Sequence, residues 1–179
     1  MIRLVAAEWL RLRTLKSFWI CAGTALVLTP AAAALSGLLA AAVLQTVIIA
    51  LAAVVPGSEY ATGTIRTTFL ATPRRIAVMT AKALVVTAVA AVLGAGCLML
   101  AYAVVTPVDV RYGTVVGRSA VDIGYCVLVA LFAFAVTLAV KHTASAVSLA
   151  LSAVLLVRLA LMVVSMMFGA DPSTAFWNL

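Results

Sequence analysis

Long apolar runs separated by short polar islands set the pattern of this chain. After a mixed opening from Met1 to Lys16, 42 residues pass without a charge before Glu59. Further apolar runs extend from about Val78 to Val105, Val121 to Val140 and Thr143 to Phe168. None shows the alternation of apolar and polar positions expected of a membrane barrel strand, and backbone polar groups in hydrocarbon must be satisfied within the segment, so each run is predicted to be helical. A crossing of about 30 Å needs roughly 20 residues. At 1.5 Å per residue the uncharged stretch from Ser17 to Ser58 gives about 63 Å, which is two crossings with almost no loop. A tight hairpin over 17–57 is therefore expected, turning near Ser36-Gly37. A turn at Thr29-Pro30 would leave a first helix of only about 13 residues, so Pro30 is expected to kink that span.

The predicted fold is all-α: one domain over 1–179, a polytopic transmembrane helical bundle of about five spans with an N-terminal interfacial helix over 1–16. The hairpin at 17–57 is followed by a polar segment at 58–77, spans at 78–106, 121–140 and 143–168, and a tail at 169–179. Leu4, Val5, Trp9, Leu12 and Leu15 recur at helical spacing beside basic groups, which suits a helix lying on the membrane surface. Glu8 and Lys16 interrupt its apolar face. The opening is too long and too polar to be the leader of a cleavable signal peptide.

Composition sharpens this picture. Hydrophobic residues make up 66% and charged residues 9% of the chain, with a mean hydropathy of +1.27, which leaves no room for a soluble domain. The net charge of +7 would suggest nucleic acid in a soluble protein. Here the basic residues sit at the ends of apolar runs and read as topology determinants, with no nucleic-acid partner expected. Arg3, Arg11, Arg13, Lys16, Arg66, Arg74, Arg75, Lys82 and Lys141 fall on one side, and only Arg111 and Arg118 on the other. The rich side is expected to be cytoplasmic, which places the N-terminus inside and the tail outside. Asp122, four residues after Arg118, is expected to form a helix-end pair with it. Cys21, Cys97 and Cys126 are separated and each lies within a span, so neither a disulfide framework nor a metal site is expected.

The island Gly57-Ser58-Glu59-Tyr60-Ala61-Thr62-Gly63-Thr64-Ile65-Arg66, closed by Pro73-Arg74-Arg75, concentrates charge between apolar spans and is expected to face water or a partner protein. Arg66 can grip a carboxylate with two hydrogen bonds, while Phe69 and Leu70 can fill a pocket. Together with the N-terminal Glu8-Trp9-x-x-Leu12-Arg13-Thr14, the pattern Glu59-Tyr60-x-x-Gly63-Thr64-x-Arg66 resembles the ABC-2 type permeases, membrane subunits of ATP-binding-cassette exporters. The resemblance implies that Glu59, Tyr60, Gly63, Thr64, Arg66, Pro73, Arg74 and Arg75 form a cytoplasmic coupling segment that meets a separate ATPase subunit. It implies also that Glu8, Trp9 and Arg13 lie on a connecting helix at the surface of the lipid bilayer. A homodimer or a heterodimer with another permease chain would then work in a bacterial inner membrane, moving a hydrophobic or amphipathic substrate.

No phosphate-binding loop of the form Gly-x-x-x-x-Gly-Lys-Ser/Thr is present, so ATP would be bound by the partner and no cofactor by this chain. The family usually has six spans and a longer loop between the first two, whereas five runs are found here. A non-transporting accessory or immunity protein and a truncated permease remnant are therefore the alternative readings. Small residues such as Gly94, Gly96 and the Ala-rich face of the second span are candidates for close approach at a dimer interface. Arg158 is the one cation deep in a predicted span, where a charge is costly. It is expected to face a partner, a cavity or an interface, either binding an anionic group on a transported molecule, or snorkelling or pairing with a carbonyl within the bundle. With a single histidine at a membrane boundary and no paired carboxylates within a span, enzyme chemistry is not expected.

Overall fold

The computed structural model describes residues 2–63, 75–105 and 112–167, all but a few of them in six helices. These are α1 (Ile2–Thr14), α2 (Lys16–Leu35), α3 (Gly37–Thr62), α4 (Arg75–Val105), α5 (Tyr112–Val140) and α6 (Thr143–Met167). The last five each contain a stretch long and apolar enough to cross a membrane, so the chain is a multi-pass helical membrane protein.

The breaks between helices follow from local chemistry. Leu15 is extended (φ −75°, ψ 116°) and ends α1. The Trp19 indole N–H donates to the Arg13 carbonyl at 2.9 Å across that corner, satisfying one of the orphan acceptors of a helix C-terminus. Ser36 is also extended, and its hydroxyl accepts from the Leu39 amide at 3.2 Å, an N-cap for α3. The hairpin thus turns on one residue, at the predicted position. Gly63 ends α3 in the left-handed region (φ 67°), where a residue without Cβ is favoured. Lys141 takes the same conformation (φ 59°) between α5 and α6, which strains a residue with a side chain. Pro30 lies inside α2. It lacks the amide hydrogen that would bond to the Leu26 carbonyl.

α3 is the central helix, touching α2, α4, α5 and α6, while α1 rests on α4 and α2, and α6 packs chiefly against α5 and α3 among the described elements. Ile48, Ile49, Leu51, Ala52 and Val55 of α3 meet Val85, Val86, Val89 and Ala90 of α4 and Val129, Ala130 and Ala133 of α5 in one core. Two glycines permit the closest approaches. A Cβ on Gly57 would lie 2.3 Å from Thr143 Oγ1, so α3 crosses the start of α6 backbone to side chain. A Cβ on Gly94 would lie 3.4 Å from Cys126 Cβ. Gly94 is therefore used in packing α4 against α5 within the chain, and Ala40, Ala52 and Ala53 of the second span are likewise buried. Gly94, expected as a candidate for close approach at a dimer interface, thus has a packing role within the chain. Gly96 comes near Leu26 at 3.8 Å.

A candidate polar site at one end of the bundle

Because α2 to α6 alternate in direction, the end of α3, the start of α4 and the α5–α6 turn share one end of the bundle, and the Gly57–Thr143 contact fixes this. Four charged side chains converge there. Glu59, one turn before the end of α3, accepts from Arg11 of α1 at 2.5 Å. The same carboxylate oxygen accepts from Lys82 of α4, whose ammonium also donates to Glu8 of α1 at 2.8 Å. Glu59 and Lys82 each retain only 2% of their side-chain exposure, against 39% for Arg11.

The arrangement follows from helix spacing. Glu8, Arg11 and Leu12 share a face of α1, so the carboxylate that interrupts its apolar stripe is the group that enters the bundle. Lys82 sits one turn into the apolar stretch beginning at Val78, too deep to be an ordinary boundary cation. Two cations against two carboxylates make the cluster neutral. Its Coulomb attraction offsets the desolvation of each member, and loss of any one of the buried members leaves a partner uncompensated.

Glu59 corrects an expectation. It was expected to face water or a partner, but α3 continues through Thr62 and turns this carboxylate inward. Tyr60 is half-buried on the same turn and Gly63 is the helix cap. Arg75 opens α4; its side chain, and Thr64, Arg66, Pro73 and Arg74, lie outside the described residues. On α1, Glu8 enters the cluster while Trp9 and Arg13 are exposed, as suits an interfacial helix. Lys82 and Arg11 are the members that sequence reasoning misses, both being assigned to topology alone. For Lys82, isolation inside an apolar run was the available signal, since a charge at that depth needs a partner.

Compared with family models, curated proteins and solved structures, this chain matches none. The chemistry of the site has to be argued from its own residues. With cations and carboxylates already mutually engaged, the cluster is suited to fastening helices together rather than to nucleophilic or acid–base work. Among the described residues no three His, Cys, Asp or Glu side chains come together.

A second polar layer lies deeper. The Tyr125 hydroxyl on α5 donates to Oε1 of the buried Gln45 on α3 at 2.9 Å. Arg158 of α6 is half-buried and close enough to act electrostatically on the Tyr125 phenol. Gln45, Tyr125 and Arg158 stand 14 or 15 residues from Glu59, Val140 and Thr143 respectively, about 21–23 Å from the charged end. Asp122 is engaged one turn away on α5; the Arg118 side chain expected beside it lies outside the described residues.

Proposed function

We propose that this chain is the membrane subunit of an ATP-binding-cassette exporter and that the segment from Glu59 to Arg75 receives the movement of a separate ATPase. The observation that supports this best is the ion-pair cluster. Glu59 stands at the C-terminal end of the helix leading into that segment, Lys82 near the start of the helix leading out, and Glu8 and Arg11 on the surface helix beside them. A push on the segment is then delivered to α3 and α4 together, because separating those two breaks the fully buried Lys82–Glu59 pair, while Glu8 and Arg11 link α1 to both. Nucleotide-driven closure of two ATPases in a dimeric assembly would tilt the second and third spans and switch access across the bilayer.

The sidedness of charge supports the orientation. Arg11, Arg13, Lys16 and Lys141 all belong to the end carrying the cluster, and this excess of positive charge supports a cytoplasmic N-terminus in a bacterial inner membrane. A path lined by the Ala, Val and Leu of these spans would suit a hydrophobic or amphipathic substrate.

The test is to tag the protein, extract it gently from its native membrane and identify what co-purifies. A stoichiometric partner carrying a phosphate-binding loop, lost when Arg66 and Arg74 are changed to Ala, is the expected result. Full function with no ATPase partner would instead assign the chain to the accessory or immunity class.

A further inference from the structure

The four charges that join α1 to the bundle can be divided into neutral pairs in two ways. From this we propose that α1 is a reversible latch, docking by exchange of ionic partners and undocking without stranding a buried charge. When docked, Glu8 pairs with Lys82 and Arg11 with Glu59. The Lys82–Glu59 contact is present at the same time, so the pair left in the bundle when α1 departs is already formed. Glu8 and Arg11 are three residues apart on α1, a spacing at which opposite charges meet on a helix surface. The departing helix therefore also carries a closed pair. An uncompensated buried charge is what ordinarily makes it so costly to break a buried ion pair, and here neither half is left with one.

Among its described side chains, little else fastens α1. Of these only Leu12 is buried, with Val5 partly so, while Trp9 and Leu10 are exposed. Beneath the α1–α2 corner lies a small crevice, lined by Leu12 together with Leu15, Phe18, Cys21, Leu51 and Val54. The extended Leu15 supplies a non-helical residue about which α1 turns, and the Trp19–Arg13 hydrogen bond holds the hinge end. Undocking would free the ends of α3 and α4 from α1 while keeping them joined to each other. The inference rests on these residues alone and stands or falls independently of the exporter reading.

Exchanging the two α1 charges, Glu8→Arg with Arg11→Glu, tests it. The Lys82–Glu59 pair survives and α1 still carries opposite charges three residues apart, but like charges now face each other across the docking contact. The full chain in phosphatidylcholine nanodiscs, with Cys21, Cys97 and Cys126 changed to Ala and Leu12→Cys as the reporter, is labelled with a water-soluble maleimide while thermal unfolding of the bundle is followed. The latch predicts labelling faster by about tenfold or more with cooperative unfolding retained within a few degrees. Labelling within about twofold of the parent overturns it, as does faster labelling accompanied by loss of cooperative unfolding, because α1 is then a fixed part of the fold. The milder Glu8→Gln with Arg11→Gln introduces no repulsion and should accelerate labelling by about threefold. An unchanged rate there overturns the proposal equally.

Discussion

Helices α3 and α6 are alike as strings of letters, with 26 and 25 residues and apolar stretches of mean hydropathy 2.3 and 1.8. Yet 56% of the residues in the first stretch are buried inside the protein and only 11% in the second. The difference lies in where small and polar residues fall. Ala40, Ala52, Ala53 and Gly57 let neighbours close around α3, and its two strongly polar side chains, Gln45 and Glu59, are both buried. α6 offers a narrow seam, Ala146 and Ala150, and leaves Leu149, Leu155, Leu156 and Leu159 outward. Lipid tails are as apolar as leucine, so outward leucines carry no penalty in a bilayer and hydropathy cannot tell a central span from a peripheral one.

The strongest way to break this comparison is to remove a charge from each helix. Glu59→Gln should cost about 3 kcal/mol, at the low end for breaking a buried pair because Lys82 keeps Glu8. Arg158→Gln on the half-buried α6 position should change stability by less than about 1 kcal/mol. Denaturant unfolding in mixed micelles reads both, and equal losses would show that α6 is as central as α3.

Gly57→Ala probes the one place where the two helices touch most closely. Its new methyl would meet Thr143, and the overpacking should cost about 1–3 kcal/mol. Combining it with Thr143→Gly should recover most of that loss in a double-mutant cycle; two losses that simply add would deny the contact.

Truncating apolar side chains sharpens the contrast. Ile49→Ala in α3, where the side chain is fully buried, should cost about 2 kcal/mol through the cavity it opens. Leu156→Ala on the lipid face should stay within about 0.5 kcal/mol. A comparable loss at Leu156 would mean that a partner, rather than lipid, covers that face.

The smallest effect belongs to the turn between α5 and α6. Lys141→Gly relieves a left-handed conformation and should stabilise the protein by about 0.5–1 kcal/mol, the relief exceeding the added freedom of glycine in the unfolded chain. A raised thermal midpoint with unchanged helical circular dichroism would bear this out.

The sequence by itself determined the class of fold and the number of apolar crossings. An apolar run of some twenty residues has one way to satisfy its backbone in hydrocarbon, and Ser36 and the Lys141-His142 pair mark tight connections because no spare length remains between runs. It also drew attention to Glu8, which interrupts the apolar stripe of the opening helix, and to Glu59 in the polar island after the second span. Only the tertiary structure decided that Glu59 turns inward, that Lys82 is the group both carboxylates share, and that α3 rather than α6 is central. Those outcomes depend on the rotation of each helix about its axis and on contacts between residues 23 to 74 positions apart. Hydropathy carries no information on either, because in lipid the apolar positions of a span are equally content facing the bundle or the bilayer.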